Sequence, residues 1–369
     1  MPLPAITLLI HGRSDSIEAT RARGLTQQYP PEKLRFLFRE TTRADTARRW
    51  RADLRAHPPE LLYVLNTALP GALLALRENL FHRLPYILDT GDVIYEMARA
   101  SGINAGWRLP FLKLIETLTQ RRARALVVRG TRHQEHLQKL GCQNITVLRD
   151  GYLPAPVAAP AELAALRARL GLRDDFIVGV MGSLVFSPRL QICYGWDLLR
   201  ALTELRDLPI RGLIIGDGPG KPWLEAQARL HGVADRVTFT GRIPYAEVPR
   251  HLQLMDIALS TQTNNLPGQV RTTGKLPEYM AAARFVLATR VGEAIVLLPD
   301  AMLLDYAGAV DSTYPHRLAQ RIRALHRDAA TLALRHQLPA LAAQHCSYPV
   351  LSARFCEIIT APKIPVPAQ

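Results

Sequence analysis

Phe176-Ile-Val-Gly-Val-Met-Gly-Ser-Leu184 is an apolar run that stops at a glycine. The same phrase returns at Leu213-Ile-Ile-Gly-Asp-Gly-Pro219 and at Val237-Thr-Phe-Thr-Gly-Arg-Ile-Pro244. Apolar runs this short, bounded by turn residues, read as strands buried on both faces. A glycine at the end of such a strand lets the backbone approach a ligand closely. Between the runs the spacing becomes helical, as in Tyr194-Gly-Trp-Asp-Leu-Leu-Arg-Ala201, which reads as a helix start. Strand and helix in alternation predict a parallel sheet with helices on both faces.

Working outward, strands at Arg211–Ile215, Ile257–Ser260, Phe285–Ala288 and Met302–Tyr306 extend this series toward the C-terminus. A second series occupies the first half, at Ala5–Ile10, Leu34–Arg39, Leu61–Leu65, Tyr86–Asp89, Ala125–Val128 and Ile145–Leu148. Helical patterns lie at Asp45–His57 (Asp45 as N-cap), Pro110–Arg122 and Ala161–Leu170. The two series are joined by Asp150-Gly-Tyr-Leu-Pro-Ala-Pro-Val-Ala-Ala-Pro160, which is proline-rich and aperiodic, as an interdomain linker is. The expected division is therefore 1–155, 156–346 and a closing segment 347–369, with helical spacing over Tyr348–Ile359. The expected fold is α/β, two Rossmann-like, doubly wound parallel-sheet domains facing across a cleft. Ligands in such sheets bind at the carboxyl ends of the strands, where the strand order reverses.

The 369 residues suffice for two domains, and with 48% hydrophobic and 21% charged residues the composition is that of a globular protein. The most membrane-like window, Leu61–Leu76, is broken by Asn66, Thr67, Pro70 and Gly71, so no spanning segment is expected. The N-terminus reads as a first buried strand rather than a signal peptide. Cys142, Cys193, Cys346 and Cys356 form no Cys-x-x-Cys pair and read as free thiols of a cytoplasmic protein. The net charge of +14 calls for anionic partners: phosphates, nucleic acid or an acidic lipid surface. No nucleic-acid recognition motif accompanies it, and none is expected to bind. The arginine-rich Asp45–His57, with Trp50 and Leu54 among its basic residues, reads either as a solvated helix face or as a peripheral contact with an acidic membrane.

The chemistry concentrates in Arg271-Thr-Thr-Gly-Lys-Leu-Pro-Glu-Tyr-Met-Ala-Ala-Ala283. Pro277 suits the first position of a helix, with Gly274 and Lys275 just before it. Free N–H groups at a helix start favour a phosphate, and Arg271 and Lys275 add full positive charge against a diphosphate. The Glu278 carboxylate can accept hydrogen bonds from both vicinal hydroxyls of a ribose.

In this order the signatures over Phe176–Glu293 resemble the donor-binding domain of glycosyltransferase family 4, the large retaining GT-B family (glycosyl transferases group 1). Thr238-Phe-Thr-Gly-Arg-Ile-Pro244 resembles its base-contacting loop, and Lys275-Leu-Pro-Glu-Tyr-Met-Ala281 the pattern with a lysine three residues before the ribose-binding glutamate. In the first half, Asp89-Thr-Gly-Asp92 sits where the family has its acceptor loop, and Val147-Leu-Arg-Asp-Gly-Tyr152 resembles the Asn-Gly turn closing the first domain.

The resemblance implies an acceptor-binding first domain, a donor-binding second domain and a last helix crossing back to the first. It implies transfer of a sugar from a nucleotide-diphosphate sugar, as co-substrate and with no other cofactor, to an unidentified acceptor. It assigns the donor to Gly12, Gly182, Ser183, Gly216, Gly241, Arg242, Ile243, Arg271, Gly274, Lys275 and Glu278. Catalytic roles fall to Asp92, which orients the acceptor, and to Arg189 and Lys275, which offset the leaving diphosphate. Arg13 joins Gly12 at the end of the first strand; His11 reads equally as a strand-end histidine, and His133 as a surface one. No Asp-x-Asp metal motif is present, so side chains are expected to supply the positive charge. Three departures matter. Val270 stands where the family often has a glutamate near the donor sugar, Tyr194 replaces a lysine before the helix-starting glycine, and an arginine about two residues after the strand glycine is absent. They leave open a chain that keeps the fold and binds nucleotide without transferring sugar.

Overall fold

The computed structural model describes residues 3–66, 69–101, 106, 108–154 and 157–361. It divides into two compact units, one of residues 1–151, 269–272 and 345–369 and the other of 152–268 and 273–344. Residues 155 and 156, in the proline-rich linker, lie outside the described residues, as does 362–369.

The first unit is built on β1 (Ile6–Ile10), β2 (Leu34–Phe38), β3 (Leu61–Leu65), β4 (Tyr86–Thr90), β5 (Ala125–Val128) and β6 (Ile145–Val147). They form one parallel sheet in the order β2-β1-β3-β4-β5-β6, with Ile6 opposite both Leu34 and Leu61. Alternate residues feed two cores, which is why the strands read as unbroken apolar runs. Leu8, Ile10, Tyr63 and Leu65 face a layer that holds Leu25 and the closing helix Tyr348–Thr360. Leu9, Leu62, Val64 and Leu88 face the helix Arg43–Ala56 through Trp50 and Leu54. Those two apolar side chains are buried, 3% and 6% exposed, so this arginine-rich helix offers them to its own core and not to a membrane. Its N-cap is Thr42 rather than Asp45, since the Thr42 Oγ1 accepts from the Asp45 N–H at 3.3 Å.

The closing helix is locked by shape. The Tyr348 ring lies against Gly24 and Gly151, and a Cβ on Gly151 would come within 2.5 Å of it. Phe355 meets the Tyr63 ring edge-on at 5.0 Å.

At the carboxyl end of this sheet a buried charge network ties four strands to one helix. Asp89 Oδ2 accepts from Arg21 Nε at 3.1 Å and Nη2 at 2.9 Å, and from the Tyr63 hydroxyl at 2.8 Å. Arg129 lies 3.4 Å from both Asp89 and Asp150. Arg21 also donates to the Leu148 and Arg149 carbonyls at 2.8 and 2.6 Å. So Asp89, at the head of the expected acceptor loop, is fully buried and structural.

The second unit holds β7 (Phe176–Met181), β8 (Phe186–Ser187), β9 (Ile192–Cys193), β10 (Ile210–Ile215), β11 (Val237–Gly241), β12 (Ile257–Ser260), β13 (Phe285–Thr289) and β14 (Leu303–Leu304). Six form a parallel sheet, β11-β10-β7-β12-β13-β14, while β8 and β9 form a small antiparallel hairpin. The hairpin strands have two residues each, too few for a periodicity to announce them. The edge strand β14 is shorter than Met302–Tyr306 because a 3₁₀ turn, Asp300–Met302, leads into it. Both halves are thus Rossmann-like parallel sheets. Among the described residues no helix is long and apolar enough to cross a membrane.

Removing one partner of a buried ion pair strands the other charge. Asp89→Ala is therefore expected to destabilise the protein by about 3–5 kcal/mol in urea unfolding, although Asp150 stays beside both arginines. A loss below about 1 kcal/mol would contradict the structural role given to Asp89.

Candidate functional site

The strand order of the second unit reverses between β7 and β12, the place where an open α/β sheet binds ligands beyond its carboxyl ends. The chain leaves β7 through Gly182 (φ +155°), leaves β10 through Gly216 (φ +135°) and leaves β11 through Gly241 (φ +68°). These turns touch each other backbone to backbone. The Gly182 N–H donates to the Ile215 carbonyl at 3.0 Å and the Gly216 N–H to the Gly241 carbonyl at 3.1 Å. A Cβ on Gly216 would overlap the Gly182 carbonyl oxygen, so only glycine fits there. Ser183 and Arg242 are exposed beside these turns and Ile243 is half-buried.

The helix Lys275–Ala281 starts two residues earlier than the proline suggested, with Gly274 as its N-cap. Pro277 is its third residue, still within the first turn, where no N–H has an intrahelical partner to lose. A helix of this length carries little dipole, so the positive charge here is mainly the Lys275 ammonium. Its Nζ stands 3.4 Å over the centroid of the Tyr194 ring. A Cβ on Gly182 would lie 3.1 Å from the same Nζ. The ring is itself fixed, because the Tyr194 hydroxyl donates to the Leu259 carbonyl at 2.9 Å. Tyr194 therefore supplies no cation but holds one by its π-face.

Glu278 follows one turn later and is only 6% exposed. Burial pushes its carboxyl up to about 7, against the pull of the Tyr245 hydroxyl that donates to Oε1. A carboxyl poised at neutrality, with a displaceable phenol as its partner, is suited to exchange that phenol for the hydroxyls of a ligand. Val270 ends the short helix Leu266–Val270 and is buried, an apolar packing residue with no acceptor to offer.

Other expected site residues belong to the first unit or to other loops of the second. Arg271 groups with the first unit, its guanidinium 3.5 Å from Asp92. Asp92 closes a tight loop in which the Thr90 hydroxyl donates to its carbonyl at 2.9 Å. Gly12 follows β1, its carbonyl accepting from the Arg39 N–H at 3.1 Å. Its neighbour His11 takes a hydrogen bond from Arg39 Nη1 at 2.7 Å, and burial together with Arg39 pushes it down to about 4, so it is neutral at pH 7. Arg13 is exposed and paired with Asp15 at 3.5 Å. His133 is not on the surface: it is fully buried in the helix Thr131–Lys139, and burial pushes it down to about 4. Arg189 sits exposed in the turn between β8 and β9. Asp197 passed unread in the sequence. It lines a cavity of about 380 Å³ with Tyr194, Thr261 and Asp311, and burial with the nearby Asp311 pushes it up to about 7. Tyr245 was also missed, since its contact with Glu278 spans loops far apart in sequence.

Residues 176–328 match the model of the family described as glycosyl transferases group 1. The match runs from β7 through β14 and covers less than half of the chain. Among curated relatives, the chain is 30% identical to the 2-deoxystreptamine glucosyltransferase of Streptomyces kanamyceticus over 194 residues, 50% of this chain and 45% of that protein. It is 40% identical over 111 residues to the GDP-mannose-dependent alpha-(1-6)-phosphatidylinositol monomannoside mannosyltransferase of Mycolicibacterium smegmatis, 29% of this chain and 26% of that one. The matches thus span less than half the length of these relatives. Among solved structures, HepE of Anabaena in complex with UDP and glucose superposes with a TM-score of 0.76 at 16% identity, covering 97% of this chain and 100% of that one. The fold is GT-B.

A methyl group on Gly216 must push the Gly182 turn aside or force a strained φ. Gly216→Ala is expected to cost at least about 2 kcal/mol in thermal unfolding and to abolish ligand binding at the adjacent helix start. Full stability with unchanged binding would refute this role for the glycine pair.

Proposed function

We propose that this protein is a group 1 glycosyltransferase that transfers a sugar from a nucleoside diphosphate sugar to a hydroxyl acceptor, with retention of anomeric configuration and without a metal ion. The observation that carries the reading is Lys275 and Glu278, one turn apart on a single helix, with the ammonium over Gly182 and the carboxyl buried at neutrality. In this reading Glu278 exchanges Tyr245 for the two ribose hydroxyls, and Gly241, Arg242 and Ile243 meet the base. The backbone at Gly182, Ser183, Gly216 and Gly274 approaches the diphosphate, and Lys275 and Arg189 offset its charge.

The bond from the anomeric carbon to the β-phosphate oxygen breaks, its electron pair going to the phosphate. The acceptor oxygen bonds to the same face of that carbon, and its proton passes to the departing phosphate. Charge grows on the diphosphate as the bond breaks, which is where a fixed ammonium acts most strongly. Asp92 orients the acceptor. The relatives' printed names support a nucleotide-sugar donor but differ in base and acceptor, UDP for HepE and GDP-mannose for the mannosyltransferase. Buried Val270 favours a second reading, nucleotide binding without turnover, because no carboxylate stands where one would approach the sugar.

Calorimetric titration with UDP and GDP tests the site. Glu278→Gln is expected to weaken binding about tenfold or more by replacing a two-hydroxyl acceptor. Lys275→Ala is expected to weaken a nucleoside diphosphate far more than the bare nucleoside. No binding of any nucleoside diphosphate at millimolar concentration would overturn the proposal. Tight binding with no diphosphate released to any acceptor would select the second reading, and activity lost to EDTA would remove the metal-free mechanism.

The raised Glu278 carboxyl gives a signed pH dependence. The folded state holds this proton to about 7, above the ordinary carboxyl value of 4.5, so stability falls as pH rises through that window. Nucleotide affinity should move the other way, rising through pH 7 as the accepting carboxylate forms. Tyr245→Phe removes the hydrogen bond that lowers this value, so the midpoint of the affinity profile is expected to shift upward. A midpoint unmoved by Tyr245→Phe, measured by titration across pH, would contradict the assignment.

A further inference from the structure

Two helices of the first unit, Leu69–His82 and Arg108–Arg122, pack against each other and leave their outer faces apolar. On the second helix Phe111 (61% exposed), Leu114 (53%) and Leu118 fall at i, i+3 and i+7, a single stripe. On the first, Leu73, Leu80 and Phe81 (73% exposed) fall at i, i+7 and i+8. Large aromatic and leucine side chains gathered this way on a surface mark an interaction site.

The exposed charges on these helices have one sign. Arg108, Lys113, Arg121 and Arg122 are exposed along and beyond the stripe. The acids of the same helices are turned away. Glu116 accepts from the Ile94 and Tyr95 N–H groups at 2.8 and 3.1 Å, and Glu78 is buried and bonded to Arg77. A two-fold contact with a second copy would set this basic rim against itself. An extended anionic surface, by contrast, satisfies the rim while the stripe sinks into the acyl boundary.

We propose that this face, rather than the arginine-rich helix Arg43–Ala56, docks the protein on an acidic phospholipid surface. The inference stands apart from the proposed sugar transfer, because docking is read without turnover.

The full chain is sedimented with phosphatidylcholine vesicles, with and without phosphatidylglycerol. Binding is expected only to the anionic vesicles. The triple variant Phe111→Ser, Leu114→Ser, Leu118→Ser should weaken it about tenfold or more. Arg121→Gln with Arg122→Gln should weaken it about tenfold. Arg48→Gln with Arg49→Gln, the same charge removed from the other helix, should leave it unchanged. The altered residues are exposed, so thermal midpoints should hold, and the two arginine pairs discriminate between the helices even if the triple variant fails to fold. Absence of binding, equal loss in the two arginine pairs, or a concentration-dependent dimer abolished by the triple variant would each overturn the proposal. The dimer would name a second copy as the occupant.

Discussion

Everything at the second unit's site depends on one backbone contact, the Gly216 α-carbon against the Gly182 carbonyl. It brings the ends of β7 and β10 closer than any side chain would permit, and the Gly216–Gly241 bond draws in the end of β11. The three turns meet peptide to peptide, with no Cβ at the points of contact. Only over such a floor can the Lys275 ammonium reach Gly182 while Tyr194 carries it from the other side. The glycines thus act less as flexible joints than as space left for a charged partner.

The first unit solves a different problem. Its sheet ends in the buried Arg21–Asp89–Arg129 network, whose charges are matched only because strands from four places in the chain converge there. Such a network fixes where β4 ends and where the loop to Asp92 begins. The closing helix adds a second constraint, its Tyr348 ring filling the space between Gly24 and Gly151. Sequence-distant segments are in this way tied to one sheet end, which is what the separate loops carrying Gly12 and Asp92 require.

How much of the fold and the site is legible in the sequence follows from the range of each signal. Strands such as Leu61–Leu65 and Phe176–Met181 are readable to the residue because a buried parallel strand writes its burial into consecutive apolar residues. The hairpin of β8 and β9 leaves no such trace. Lys275 and Glu278 are found because helix spacing and charge are local properties, whereas Tyr245 and Asp197 owe their surroundings to tertiary contacts that no local pattern records. His133 misleads for the same reason: it lies among Gln, Glu and Lys, yet its own helical position faces the sheet. The arginine-rich helix misleads by composition. Four of its five arginines are exposed, but its Trp50 and Leu54 serve the core.

Tyr194 departs from the pattern by putting the holder of a cation where a cation would stand. A lysine at that position would add a second ammonium close to Lys275, and the two would repel in the absence of an anion. An aromatic ring removes that repulsion and adds an attraction, so the single ammonium is placed before any ligand arrives. A few residues on, Glu278 is kept from the cost of a buried charge by taking up a proton near neutrality, with Tyr245 at hand as donor. Cation and carboxyl are therefore both held by aromatic side chains, and both holders differ in kind from what a nucleotide would offer. A diphosphate outcompetes a ring face for an ammonium because it brings full negative charge. In the proposed site two ribose hydroxyls would outcompete one phenol because they would satisfy both carboxylate oxygens at once.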